Sequence, residues 1–312
     1  MLEDSIPMRD DLNSSSTKML NTLGTLLLVL VSLVTSLIIL GALVRANEAG
    51  LACPDWPLCF GQILPELDLK IGFELTHRFV AGVVSLLFLL IFYRCRHDRV
   101  AWDKAGAWLS LAACLLVTQI ILGALTVWHL LAAWSVTAHL LTGNAFNMSI
   151  WLAGWRLRKT RDLPAPKQWQ TWLALLATIM LVAQLWLGGL VSSTFSGLAC
   201  PTWPTCNGSD FFPTFAGSVG LQIIHRWTAF LLLIFSVIAA VGLHKKAGGT
   251  WQLVTAVLVC FQIVVGILNV LWGLPVEITG LHSGLAAAIV LTQSRATHDA
   301  WCASQKVTSE GA

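Results

Sequence analysis

The sequence predicts an all-α membrane protein of eight transmembrane helices, arranged as two tandem four-helix bundles related by a parallel repeat. Three observations lead there. Of 312 residues, 56% are hydrophobic and only 11% charged, less than half the roughly one-quarter share of a soluble domain and too few to solvate a globular surface. Eight apolar stretches come near the ~20 residues that a bilayer crossing needs. The second half of the chain also repeats the first. This composition excludes disordered, collagen-like and small disulfide-framework classes and a nucleic-acid binder; the net charge of +3 is small, and what matters is where the charges sit.

In chain order the predicted spans are Met19–Val44, Gly72–Tyr93, Ala105–Val127, Ala133–Trp155, Trp169–Val191, Val219–Leu243, Thr250–Leu271 and Val276–Thr292. Their unbroken apolar runs lack the in/out alternation of a membrane barrel, so helices are expected. Basic residues set the orientation. Arg94, Arg96, Arg99 and Lys104 follow span 2; Arg156, Arg158, Lys159, Arg161 and Lys167 follow span 4; Lys245 and Lys246 follow span 6. Arg9, Lys18, Arg295 and Lys306 belong to the same side, whereas the opposite loops hold Arg45 and Lys70 among Glu48, Asp55, Glu66, Asp68 and Asp210. The excess of positive charge on inner loops places both termini in the cytoplasm. Glu3, Asp4, Asp10 and Asp11 argue against an acid-poor transit peptide, and span 1 is too long for a cleaved signal. A bacterial plasma membrane is the expected location.

The repeat is direct. LGALVRANEAGLACPDWPLCFG at 40–61 aligns with LGGLVSSTFSGLACPTWPTCNG at 187–208, an offset of 147. One inserted residue later, His77-Arg78 aligns with His225-Arg226. Gln119-Ile120 and Gly123 match Gln262-Ile263 and Gly266 at an offset of 143, and in that frame His139 falls on His282. Four helices per half bring both halves into the membrane in the same direction. The domains are therefore 1–155 and 169–312, joined by a basic, proline-containing linker at 156–168.

Four of the eight cysteines obey the repeat: Cys53 and Cys59 in one external loop, Cys200 and Cys206 in the other. Outside the cytoplasm thiols tend to oxidise, so one disulfide per loop is expected, either a structural staple or a redox-active pair. Zinc is the weaker reading, because structural zinc needs four ligands per site, usually at shorter cysteine spacings. Cys95, Cys114, Cys260 and Cys302 read as ordinary buried or free thiols.

Histidines carry the chemistry. His97, His244 and His298 fall in cytoplasmic basic stretches and are expected to be solvated, and His129 sits in a short external turn. His77, His139, His225 and His282 instead fall in the first two turns of spans 2, 4, 6 and 8, all at similar depth near the outer leaflet. An ionisable group inside a bilayer needs a partner or a function. One such histidine is commonly a packing residue; two per unit, identically placed in both units, point to metal or haem ligation. No repeated third ligand accompanies them at that depth. Two imidazoles from facing helices suit the axial positions of a haem iron, whose macrocycle supplies the other four nitrogens. Arg78 and Arg226 either meet haem propionates or snorkel to the interface.

The repeat breaks where chemistry would. Glu74, one turn before His77, has Gln222 as its counterpart before His225. A carboxylate in one half and an amide in the other suggest a reaction site in the N-terminal half and a permanent cofactor site in the C-terminal half. Glu74 can serve as a base or stabilise developing positive charge; otherwise it is a carboxylate favoured by a helix start.

These features together resemble the haem A synthases over essentially the whole chain: repeated four-helix units, a histidine in each even helix, Cys-x5-Cys external loops and the run Glu74-Leu75-Thr76-His77-Arg78. The resemblance implies oxidation of the C8 methyl of haem O to the formyl group of haem A, for terminal oxidase biogenesis. It implies that His77 and His139 flank substrate haem O with Glu74 as catalytic carboxylate, and that His225 and His282 ligate a haem b cofactor. The implied partners are the lipid bilayer, haem O delivered by a haem O synthase, and an electron acceptor of which quinone is one option; a homo-oligomer is compatible. The alternative is a bis-histidine b-type cytochrome that only transfers electrons, which explains the histidines and gives no reason for Glu74 against Gln222.

Overall fold

The computed structural model describes residues 7–158 and 163–310. Glu3 and Asp4, and Lys159 and Arg161 of the linker, lie outside the described residues. The described residues form eight α-helices: α1 (Pro7–Ala46), α2 (Leu69–His97), α3 (Arg99–Trp128), α4 (Ala133–Arg156), α5 (Gln168–Ser193), α6 (Gly217–Gly242), α7 (Gly249–Leu271) and α8 (Val276–Glu310). A short 3-10 turn, Ser196–Leu198, follows α5. Local chemistry sets several boundaries. Asp68 caps α2 by accepting from Ile71 N at 2.7 Å, and Asp98 caps α3 by accepting from Ala101 N at 2.7 Å, each satisfying one of the free N–H groups of a first turn.

All eight predicted segments are helical, and two run well beyond the predicted spans. Helix α1 begins at Pro7 rather than Met19, and α8 continues to Glu310 rather than ending at Thr292. A helix does not stop where hydrocarbon stops if its polar side chains find partners. In α8 the next residue, Gln293, exchanges hydrogen bonds with Gln252 at 3.0 and 3.2 Å, and Arg295 pairs with Asp299 at 2.9 Å.

By length and composition, α1, α2, α3, α5, α6 and α7 are apolar enough to cross a membrane. Their outward faces carry exposed large apolar side chains, such as Leu86, Leu89 and Leu90 on α2, as lipid-facing surfaces do. The two helices missing from that set, α4 and α8, are the most enclosed. Helix α4 packs on α1, α3, α5 and α8, while α8 packs on α1, α4, α5 and α7. Polar residues such as Asn144, Asn147 and Ser149 of α4 are therefore buried against protein rather than exposed to lipid.

Neighbours within each half pack together: α1 on α2 and α4, α2 on α3, α3 on α4; then α5 on α6 and α8, α6 on α7, α7 on α8. Leu27, Phe88, Leu109 and Ile150 belong to a fully buried apolar cluster in the first set, and Leu181, Leu232, Val259 and Ile289 form its counterpart in the second. The halves meet mainly through α1 against α8 and α4 against α5, with α4 also touching α8. At the first contact Gly280 and Gly284 admit the side chains of Leu43 and Ile39; at the second Thr137 Oγ1 lies 3.2 Å from Ser193 Oγ. Arg45 crosses from one half to the other, donating to Ser192 O at 2.9 Å and lying 3.9 Å over the Phe195 ring. Pro164 O of the linker accepts from Ala247 N at 2.9 Å.

Candidate functional site

Each even helix delivers one histidine near its loop-side start. His77 and His225 are the ninth residues of α2 and α6; His139 and His282 are the seventh of α4 and α8. The first two thus sit in the third helical turn, slightly deeper than expected, because α2 and α6 begin at Leu69 and Gly217 rather than at Gly72 and Val219. His139 lies within electrostatic range of His77, and His225 within that of His282. The four imidazoles therefore pair within the halves.

Every ring rests on a glycine of the preceding odd helix. A Cβ added to Gly41 of α1 would come 3.1 Å from His77 Cε1, and one on Gly123 of α3 would come 3.4 Å from His139 Cε1. The same substitution at Gly188 of α5 and Gly266 of α7 would come 3.1 Å from Cε1 of His225 and His282. These glycines let the edge between the two ring nitrogens approach the neighbouring backbone, which fixes ring position without a polar contact. Among the described residues, His77 Nδ1, His139 Nδ1 and His282 Nδ1 are buried without a hydrogen-bond partner. Unsatisfied buried imidazole nitrogens cost free energy unless something ligates or bonds the ring. No three His, Cys, Asp or Glu side chains converge among the described residues, so each pair offers two imidazoles and no third ligand. Two neighbouring imidazoles on glycine-backed seats, with nitrogen atoms left open and no third ligand, are the donor set that a haem iron would take.

Glu74 is 7% exposed and lies one turn from His77. It accepts from Arg78 Nε at 2.8 Å in an i,i+4 ion pair whose two side chains are 13% and 9% exposed. Gln222, its counterpart, is 3% exposed and turns elsewhere, donating to Gly197 O at 2.9 Å.

Arg78 does more than the sequence suggested. Nη1 donates to Asp55 O and Leu58 O, each at 2.7 Å, and Nη2 to Cys53 O at 3.3 Å. Arg226 repeats the grip, with Nη1 on Thr202 O at 3.0 Å and Nη2 on Cys200 O. Each arginine thus clamps the disulfide loop of its own half. Counting five N–H donors per guanidinium, one remains on Arg78 and three on Arg226 for a further anionic group. The loops contain the expected disulfides, Cys53–Cys59 and Cys200–Cys206, and in both the Trp–Pro peptide is cis.

The first loop is closed by a carboxylate. Asp55 accepts from Phe60 N at 2.6 Å and Gly61 N at 2.7 Å. Bonding from Gly61 and then Phe60, with a smaller contribution from the Arg78 charge, holds its carboxyl below the ordinary carboxylate value, partly opposed by desolvation. In the second loop a hydroxyl takes its place, Thr202 Oγ1 accepting from Gly208 N at 2.9 Å.

Two other expectations need correction. His298 is not solvated: its side chain is 13% exposed, 3.4 Å from Asp299 and 5.9 Å from the Trp108 ring. Cys302 is not an ordinary thiol, since its sulfur lies 3.7 Å from His298 Nε2, a hydrogen bond that holds the thiol below its ordinary value. Both follow from the continuation of α8 past Thr292. The role of the glycine seats escaped the sequence, although Gly41 and Gly188, and Gly123 and Gly266, are all matched positions of the repeat quoted above; their shared place on the odd helices was the available signal.

Comparison with known proteins identifies the family. A family model described as cytochrome oxidase assembly protein matches residues 24–72 and 68–294. Heme A synthase of Shewanella oneidensis is 31% identical over 310 residues, covering 85% of this chain and 92% of that protein. The chain belongs to the haem A synthase family. Heme A synthases of Methylobacterium radiotolerans and Shouchella clausii are 25% and 27% identical, covering 90% and 73% of this chain and 90% and 78% of theirs. With six helices long and apolar enough to cross a membrane among the described residues, the chain is a multi-pass membrane protein.

Proposed function

We propose that the protein is a haem A synthase, an oxidoreductase that converts the C8 methyl group of haem O into the formyl group of haem A. The observation that carries this reading is an asymmetry inside a symmetric site: two equivalent pairs of glycine-seated histidines, with a buried carboxylate, Glu74, beside only one of them. An electron-transfer cytochrome needs both pairs and has no use for that difference. In this reading α4 and α8 also cross the bilayer, giving eight spans in two tandem four-helix bundles, 1–155 and 169–312. Both termini are cytoplasmic and the disulfide loops external, in a bacterial plasma membrane.

His77 and His139 hold haem O, which a haem O synthase delivers, and His225 and His282 hold a haem b. Bound there, haem b supplies one-electron chemistry. Haem O carries a long isoprenoid tail, and a site among lipid-facing helices lets that tail remain in the bilayer. Glu74 is the catalytic carboxylate. Its ion pair with Arg78 fixes one oxygen, leaving the other for a proton or for developing positive charge on the substrate. Arg78 and Arg226, with donors to spare beyond the loop carbonyls, are the propionate contacts. Low water access around these side chains strengthens each electrostatic interaction.

Co-expression with a haem O source, followed by mass spectrometry of extracted haems, tests the reading. Haem A or its hydroxymethyl precursor is expected, and Glu74→Ala should abolish both while haem b stays bound. His225→Ala should lose haem b. Unchanged haem O in the wild type, bound at full occupancy, would overturn the synthase assignment.

A further inference from the structure

The four histidine seats share a second position, one helical turn before each glycine. In α3, α5 and α7 it is glutamine: Gln119 before Gly123, Gln184 before Gly188, Gln262 before Gly266. In α1 it is Leu37 before Gly41. Gln119 and Gln184 reach the ring of the histidine on the adjacent even helix, whereas Gln262 reaches the backbone carbonyl of His282. Gln119 Nε2 lies 3.2 Å from His139 Nε2. Gln184 Nε2 lies 3.1 Å from His225 Nδ1 and donates to His225 O at 3.0 Å, while its oxygen accepts from the Thr228 hydroxyl. Gln262 Nε2 donates to His282 O at 2.9 Å. His77 receives none of this. Leu37 and, in the place of Thr228, Val80 pack against the apolar core of the N-terminal half; His77 Nδ1 is buried without a partner among the described residues, as are His139 Nδ1 and His282 Nδ1, so what sets His77 apart is the missing amide.

A histidine that binds metal through one nitrogen carries a proton on the other, and the group accepting that proton fixes the ring's orientation and raises its basicity. A glutamine amide can present oxygen or N–H2 to the ring by turning over. Gln119 Oε1 is buried without a partner among the described residues, so turning that amide over presents an acceptor to the His139 ring; Gln262 Oε1 is likewise unpartnered, beside the His282 backbone. A leucine can do neither.

We infer that His77 is the releasable ligand of the four, because Leu37 denies it the neighbouring amide that Gln119 and Gln184 bring to the rings of His139 and His225 and that Gln262 brings to the backbone of His282. The inference rests on the haem-ligand reading above and deepens it. Two axial imidazoles leave iron with no open position. Release of His77 uncovers one within a helical turn of Glu74, in the half where the carboxylate is found. Leu37 and the glutamines are positioning residues, acting through the histidines.

Carbon monoxide binding to the reduced, full-length, haem-loaded protein in detergent reads ligand release directly, since it requires an open iron position. The wild type should bind carbon monoxide at one haem per chain, and a wild type that binds none overturns the inference. Leu37→Gln should weaken that binding about tenfold or more, the scale on which such supporting partners act on metal affinity. Gln184→Leu should open the second haem to carbon monoxide. Leu37→Met keeps the apolar packing without an amide and should match the wild type. In each variant the low-spin spectrum of the untouched half verifies folding. Haem bound normally, with carbon monoxide uptake unchanged by Leu37→Gln and by Gln184→Leu, overturns the inference alone. Purification without any haem removes the ligand reading on which it stands.

Discussion

At the helix ends away from the disulfide loops, Leu109 and Ile150 are fully buried in a dry apolar cluster of the N-terminal half. At the corresponding places the C-terminal half puts Gln252 and Gln293, fully buried and bonded to each other, with Thr178 and Thr297 completing the network through Gln293 at 3.2 and 3.1 Å. Nearer the loops the relation changes. Both halves keep the glycine seat, the histidine pair, the arginine clamp and the disulfide, and they differ in single polar substitutions: Glu74 for Gln222, Leu37 for Gln184, Asp55 for Thr202. The end that only has to hold helices together tolerates two chemistries, because a satisfied polar network and a close-packed apolar core are both stable. The end that holds a ligand keeps its framework fixed and varies the groups that act.

The sharpest way to break this comparison is to exchange the groups that differ. Glu74→Gln makes the N-terminal pair resemble the C-terminal one. It should lower formation of oxidised haem by about a hundredfold or more, within the range assigned to a positioned acid or base, with haem content unchanged. Gln222→Glu, the reverse exchange, should leave turnover near that of the wild type, because the carboxylate would then stand beside the cofactor. Quantifying haem O, hydroxylated haem and haem A by mass spectrometry in both variants decides it. Equal losses from the two exchanges would show that the halves are not divided into substrate and cofactor sites.

Much of this architecture could be read from the residues. The spans were legible because a bilayer leaves little choice of side chain, and the four histidines because ionisable groups are conspicuous in such runs. Helix limits were less so: α8 passes Thr292 because Gln293 and Arg295 find protein partners, which no hydropathy pattern reveals. The glycine seats were hidden by their ordinariness, since glycine is frequent in membrane helices; only the nearby Cε1 of four rings gives them meaning. The loop clamps were invisible for a different reason. Arg78 reaches carbonyls 20 to 25 residues away in the chain, and main-chain acceptors leave no mark on the side-chain sequence.

Those clamps provide a second, smaller test. Arg78 divides its donors between the first loop and Glu74, whereas Arg226 grips its loop and, among the described residues, holds no carboxylate. Replacing either with glutamine removes charge-assisted bonds worth about 2 kcal/mol each when well formed, so both variants should unfold at lower temperature. Arg78→Gln alone should also cut turnover, by about tenfold, and shift its pH profile as Glu74 loses its countercharge. Arg78→Lys should recover part of the turnover, since it restores the charge without the bidentate reach. A fall in turnover of the same size in Arg226→Gln would mean that loop anchoring, rather than carboxylate positioning, is what Arg78 contributes.

The smallest expected effect separates the loops themselves. Asp55 closes the first loop through Phe60 N and Gly61 N, and this bonding holds its carboxyl below the ordinary value. A carboxylate depressed by folding contributes stability above its unfolded value, and that contribution is lost as pH falls through the lower folded one. The second loop is closed at the same point by the Thr202 hydroxyl, which does not titrate. Its own acid, Asp210, is also held low, but by the Asn207 and Ser209 side chains rather than by the turn around the disulfide. Acidification should therefore expose Cys53–Cys59 to a membrane-impermeant phosphine reductant before Cys200–Cys206. Asp55→Asn should remove most of that pH dependence while leaving the first loop somewhat more accessible at neutral pH, because an amide oxygen is a weaker acceptor than a carboxylate. Thr202→Val should loosen the second loop to the same degree at every pH. Identical acid profiles for the two disulfides would show that the Asp55 closure adds nothing to the loop beyond the arginine clamp, which the halves share.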